Sequence, residues 1–323
     1  MGDFAFDHER VAPSLATMDS RFDAVAERVL RGYGLRLPRH LAVFAAFLDG
    51  IGDAGRRALA DGVGLSPGGI TRYFEDGGLA LTGRDGLDER LDSRFRCDPP
   101  EFVTVLWGDS DGLHFGLWYD DPAELPTMVV HNYARDSAET WSEQLPTVLA
   151  QVGRRLDDAD MDAADDPDYD EPDGARQRAE LRRAVAAYAD ADERARDHDG
   201  AVRWVGAARP PILGGVGPAL PDGSGDPRGG HQRYNERYEA YRAGAPQVRE
   251  WIAQAERELA AGEPAYALVL GRELHWFDAD AYRADSLRLL ASAYRALGRQ
   301  ALAEIAEVHH AHRDLRSVDV LRG

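Results

Sequence analysis

The chain has 323 residues, 44% of them hydrophobic, with a net charge of −19 and a single cysteine, Cys97. That apolar content suffices for a core, one cysteine excludes both an internal disulfide framework and a multi-cysteine zinc site, and the acidic balance disfavours direct binding to nucleic acid. No stretch approaches the roughly 20 apolar residues of a membrane-spanning helix, and Met1 to Glu9 has no basic segment ahead of an apolar run. The expectation is therefore no membrane association and a cytoplasmic protein, or a nuclear one in a eukaryotic source.

The elements follow in chain order. Leu15, Met18, Phe22, Val25, Val29 and Leu30 recur at helical spacing and predict a helix from Ser14 to Arg31. A second helix follows Pro38, with Leu41, Phe44, Phe47 and Leu48 on one face. From Arg94 the period changes. Phe102–Trp107 and Leu113–Tyr119 are extended, and Gly108-Asp109-Ser110-Asp111-Gly112 turns between them, which predicts a β-hairpin. Thr127–His131 predicts a third strand, and Trp141–Leu156 a helix. Residues 157–173 hold ten acidic side chains and are expected to form a mobile linker. Asp158, Asp160 and Asp162 alternate as in a calcium loop, but Ala163 and Tyr169 occupy its glycine and glutamate positions. Gly174–Asp197 reads as a charged helix, and residues 206–230 as a Gly/Pro-rich surface loop. From Pro246 four amphipathic helices follow, joined by short connections that imply antiparallel neighbours.

The fold class read from this pattern is α+β. A mixed N-terminal domain with an antiparallel hairpin sheet covers residues 1–156, and a mainly helical C-terminal domain covers 174–323, across the acidic linker.

Candidate chemistry is sparse. His309 and His312 share a helix face without a carboxylate beside them, a weak metal set, and are read as a polar helix end; no metal is expected. Arg96 beside Cys97 suggests a lowered thiol pKa, but no Cys–His pattern accompanies it, so Cys97 is read as structural. No nucleophile elbow, zincin motif or phosphate loop is present, which argues against a free-standing enzyme.

The most distinctive stretch is Arg94-Phe95-Arg96-Cys97-Asp98-Pro99-Pro100-Glu101-Phe102, continuing through the hairpin to Asp120-Asp121-Pro122-Ala123-Glu124-Leu125-Pro126. It resembles the central segment of the histone PARylation factor family. Tyr33-Gly34-Leu35-Arg36-Leu37-Pro38 with Phe44 is similar to that family as well, and so are the helices from Glu263 through Tyr266, Leu270, Phe277, Leu289-Leu290 and Ala303-Glu304-Ile305. The resemblance covers roughly residues 30–48, 94–135 and 247–313.

It implies an accessory factor, not an enzyme by itself. Such a factor docks beside the NAD site of a poly(ADP-ribose) polymerase, inserts a glutamate to form a joint active site, and directs modification to serine of a protein substrate. NAD is then the partner's, and no cofactor is bound directly. The matching glutamate here is Glu263, preceded by Gly262 where the family often has aspartate. The family's Tyr-Arg pair that engages the partner has two counterparts, Tyr241-Arg242 and the reversed Arg233-Tyr234. An alternative is a non-catalytic protein-binding module, because Ala293–Arg299 resembles a tetratricopeptide helix.

Overall fold

A computed structural model of the chain describes residues 4–142, 145–165, 172–221 and 234–323. Helix α1 (Val11–Tyr33) turns Met18, Phe22, Val25 and Val29 inward, the stripe expected from their spacing. Helix α2 (His40–Val63) is buried through most of its first three turns. It breaks at Gly52, where φ is 60° and ψ −170°, a conformation open to a residue without Cβ. The break strands two carbonyls, and arginine caps both: Arg56 Nε donates to Leu48 O at 3.1 Å and Arg10 to Asp49 O at 2.6 Å.

Short strands β1 (Ser66–Pro67) and β2 (Thr82–Gly83) precede the hairpin of β3 (Phe102–Trp107) and β4 (Leu113–Trp118). Strands β5 (Met128–Tyr133) and β6 (Thr140–Ser142) complete an antiparallel sheet ordered β1-β3-β4-β5-β6. The hairpin and third strand thus form where the alternation places them. Trp141 does not: it pairs with His131 in β6 rather than opening a helix. Helix α3 (Val148–Asp165) begins only after Pro146, with Thr147 Oγ1 accepting from Ala150 N at 3.2 Å as its cap. Pairing at the sheet edge overrides a helical pattern that the apolar residues alone could not distinguish.

The acidic run also differs from its expectation. Asp157 to Asp165 continues α3 instead of forming a linker. Self-repulsion is offset by arginine: Arg154 lies 3.2 Å from Asp158, and Arg178 and Arg182 on α4 (Pro172–Asp199) both reach Asp160. Residues 166–171 of that run lie outside the described residues. The described part of the Gly/Pro region, 206–221, is anchored rather than a free surface loop. Leu213 and Ala219 are fully buried, and Thr140 exchanges backbone hydrogen bonds with Gly214 and Val216 at 2.9 Å.

Helices α5 (Tyr234–Ala243), α6 (Pro246–Ala260), α7 (Ala265–Phe277), α8 (Arg283–Ala296) and α9 (Gln300–Ala311) pack in succession, α7 lying against both α6 and α8. The chain then returns to the N-terminal half, where β7 (Leu321–Arg322) pairs with β2. Asp92 holds it there by accepting from Val320 N and Leu321 N at 2.9 and 2.8 Å. One apolar core runs through both halves, with Phe44, Phe115, Leu181, Leu270 and Leu290 in the same cluster. The architecture is α+β, helical at the back. Among the described residues no helix is long and apolar enough to cross a membrane.

Candidate functional site

The distinctive stretch from Arg94 to Phe102 is turned inward except around Arg96, whose exposed side chain pairs with Asp278 and Asp314. The buried Arg94 guanidinium donates to Arg90 O, Pro99 O and Phe102 O at 3.1, 2.9 and 2.6 Å. Asp98 accepts from Phe95 N at 2.6 Å, and His114 Nε2 lies 3.1 Å from its carboxylate. The segment ends on Glu101, 1% exposed, with Arg272 of α7 2.8 Å away. Asp120 is likewise buried, held by Arg209, Trp118 Nε1 and Thr127 Oγ1. These residues join elements of the fold and present no reactive group to solvent.

Helix α7 is where those connections converge. It carries three buried ionisable side chains in four positions, Arg272, Glu273 and His275. Glu273 accepts from Leu213 N at 3.1 Å, Arg237 NH2 at 2.6 Å and Tyr241 Oη at 2.6 Å. His275 donates through Nε2 to Asp98 O at 2.9 Å, and its Nδ1 accepts from Arg313 at 2.6 Å. Burial first, then the Arg313 charge, hold its pKa well below the ordinary histidine value. None of these three was singled out by sequence reasoning. The available signal was charge in a helix that is otherwise almost wholly apolar, Ala-Tyr-Ala-Leu-Val-Leu-Gly-Arg-Glu-Leu-His-Trp-Phe.

Glu263 stands at the other end of α7, exposed, in the turn from α6. Gly262 takes φ 86° with open space around it, and Glu263 N donates to Glu258 O at 2.9 Å, which fixes the turn. Among the described residues the Glu263 carboxylate makes no hydrogen bond or ion pair.

The structure separates the partner-binding candidates. Tyr241 is 2% exposed, its ring against Trp251, Phe277 and Tyr282, its hydroxyl held protonated by burial and by Glu273. It is a core residue and offers no face to a partner. Arg242 is exposed, with Glu239 only 3.5 Å away as a surface neighbour. Tyr234 is half-buried and donates to Glu139 at 2.7 Å, and Arg233 lies outside the described residues. Tyr238, which the sequence reading passed over, is 37% exposed on the same side of α5 as Arg242, four residues on. Its ring rests 5.9 Å from Phe277 and 6.4 Å from Trp276.

The other candidates fall elsewhere. His309 is buried against the His275 ring, 5.4 Å away, rather than forming a polar helix end, and no metal-holding cluster occurs among the described residues. Cys97 is a half-buried thiol that burial pushes up to about 11, against the lowering effect of Arg96. A groove of about 1180 Å³, lined among others by Trp141, Trp204, Val205, Pro210 and Tyr234, lies along the sheet edge and the Gly/Pro region.

Residues 25–160 match the family model of Histone PARylation factor 1. Histone PARylation factor 1 of Bos taurus is 46% identical over 50 residues, 15% of this chain and 14% of the bovine protein. That of Mus musculus is 45% identical over 51 residues, 16% and 15% of the two chains. The aligned stretch therefore spans about a seventh of these relatives' length, and Glu263 lies beyond the family match. The match to Histone PARylation factor 1 thus falls on residues 25–160, which hold the sheet and the Arg94–Phe102 stretch.

Proposed function

We propose that this chain is an accessory factor of a poly(ADP-ribose) polymerase-type ADP-ribosyltransferase, completing that enzyme's active site with Glu263 and directing ADP-ribose to serine. The observation that carries the reading is the exposed Glu263 carboxylate, unpaired among the described residues, at the tip of a helix pinned into the core at its other end. A serine hydroxyl is a poor nucleophile at neutral pH. As its oxygen bonds to the anomeric carbon of NAD held by the transferase, the bond to nicotinamide breaks and the hydroxyl proton passes to the carboxylate. Such general-base help is worth about 10²–10⁴ in rate. Docking falls to the exposed part of α5, Arg242 with Tyr238, residue types that dominate interface energetics.

A binding module built on a helical repeat would place its groove on the concave face of α6–α9. The large groove lies instead beside β5, β6 and the Gly/Pro region, so the repeat reading gains nothing from it. The test is an ADP-ribosylation assay with a transferase from the same organism. Wild type redirects label to serine, and Glu263→Ala binds the transferase equally well without redirecting it. Wild type that alters neither acceptor nor chain length refutes the proposal.

A further inference from the structure

The Arg94–Phe102 stretch touches no candidate reactive group, yet it is tied to the helix that carries one. We propose that Glu101, acting through Arg272, is a positioning residue for Glu263. The inference rests on the joint-site reading for its functional consequence, but its structural content stands apart from any transferase.

Arg272 and Glu101 have side-chain exposures of 3% and 1% and lie 2.8 Å apart. Arg272 also donates to Val216 O at 3.2 Å and lies 5.2 Å over the Trp118 ring. The one guanidinium therefore fixes α7 against the entry to β3, the end of β4 and the Gly/Pro region together. One turn further on, His275 donates to Asp98 O, on the same inward stretch. Both contacts lie in the C-terminal half of α7. Toward the N-terminal tip the hold is apolar, with Ala267 and Leu268 in the core and α6 alongside, and in the turn beyond it Glu263 N donates to Glu258 O. A helix transmits such a constraint because it is stiff along its axis. From Arg272 to the start of α7 is about 10 Å, so a tilt of about 6° displaces the tip by about 1 Å. A misplacement of about 1 Å can cost about 100-fold in rate.

Buried charge is a costly way to obtain stability alone, because a well-packed apolar pair usually serves as well. What the ion pair adds is a single allowed register of α7, since a slip of one residue turns the helix by about 100° and leaves both charges unpaired. That assigns the pair to geometry rather than to adhesion.

The experiment measures position directly. Nitroxide labels go on Ala24→Cys of α1 and Ala261→Cys of the tip, in a Cys97→Ser background, and the distance distribution is read by pulsed electron resonance. Two variants are compared with the parent: Arg272→Met, and the double variant Glu101→Leu with Arg272→Met. The second leaves no buried charge unpaired and so keeps the fold if the first does not. A distribution at least twice as wide, or displaced by about 1 Å or more, in the double variant supports the proposal. A distribution matching the parent overturns it. With the transferase, the same double variant at saturating concentration redirects about 10- to 100-fold less label to serine while its binding affinity is unchanged. Affinity and redirection falling in equal proportion would overturn the positioning role. If the tip moves but the parent redirects nothing, positioning stands and the joint-site proposal falls.

Discussion

Glu273 offers the sharpest test of how the back half is held together. Its carboxylate accepts from a backbone amide at Leu213, the Arg237 guanidinium and the Tyr241 hydroxyl, so it joins the Gly/Pro region, α5 and α7 at one point. The Arg237 and Glu273 side chains are 10% and 1% exposed. Glu273→Ala leaves that guanidinium buried without its partner, and breaking a buried pair on one side costs about 3–5 kcal/mol. Tyr241→Phe removes only a hydrogen bond to a charged group, about 1.5–3 kcal/mol. For comparison, Glu27 and Arg31 form an ion pair in which both side chains are more than 60% exposed, and Glu27→Ala there costs less than about 1 kcal/mol. Urea unfolding followed by tryptophan fluorescence gives all three values. Hydrogen exchange at Leu213 supplies a local readout, since its amide loses its acceptor only in Glu273→Ala. Equal losses for Glu273→Ala and Glu27→Ala would refute the argument, because the difference rests wholly on burial and on the charge left behind.

Two further outcomes follow from the same physics. His40, His275 and His309 are buried and neutral, His40 lowered to about 3 by burial and then Arg196, and the other two well below the ordinary value. Each unfolded histidine takes up a proton below about pH 6.5 while the folded one does not, so stability is full above that pH and falls below it by about 1.4 kcal/mol per pH unit per histidine. Asp192, raised to about 6 by burial, runs the other way and moderates the slope. Urea midpoints that stay flat from pH 7 to 5 would contradict this. Arg94→Lys is the second: one ammonium cannot reach three carbonyls spread over the Arg90, Pro99 and Phe102 positions, so the loss is about 2–4 kcal/mol by urea unfolding, although the charge is unchanged.

Much of the fold could be read from local pattern. The hairpin was legible because Phe102–Trp118 combines β-branched and aromatic residues with a turn whose Asp111 and Gly112 both take positive φ. The helices α6 to α9 were legible because each has an apolar stripe, with Gly262 closing α6 and Gly298 closing α8. The acidic run was misread because its neutralising arginines, 178 and 182, come from a different helix about 20 residues on. The candidate site was legible only in part. Tyr234, Tyr238 and Tyr241 fall on one helical stripe, and the period cannot say which of them turns inward. That is settled by Glu273, 32 residues from Tyr241, and by the Phe277 ring. Glu263 itself has no local signature beyond a glycine before it and a proline after. Its interest comes from what α7 is fastened to, and that information is spread over residues 98 to 313.

The sequence contains no lysine, all 38 of its Lys+Arg residues being arginine, and that has a structural meaning. Arginine here repeatedly satisfies main-chain carbonyls that no helix or sheet partner reaches. Arg10 and Arg56 do so at the break in α2, and Arg94 inside the Pro99–Phe102 bend. Arg84 holds the carbonyls of Ser317 and Asp319, while Arg272, Arg299 and Arg313 serve Val216, Ala219 and His275. Many of these same guanidiniums also face a carboxylate. A planar fork with five donors does both at once, whereas an ammonium is a point donor with a tightly held hydration shell. A base composition that favours arginine codons would supply the residue everywhere, but it would not choose these positions. The irregular connections of this chain, from the kinked helix to the Gly/Pro region and the returning C-terminus, are the places where carbonyls outnumber regular partners. Exchanging arginine for lysine at such junctions would keep the net charge of −19 and remove the bonds that hold the two halves in one arrangement.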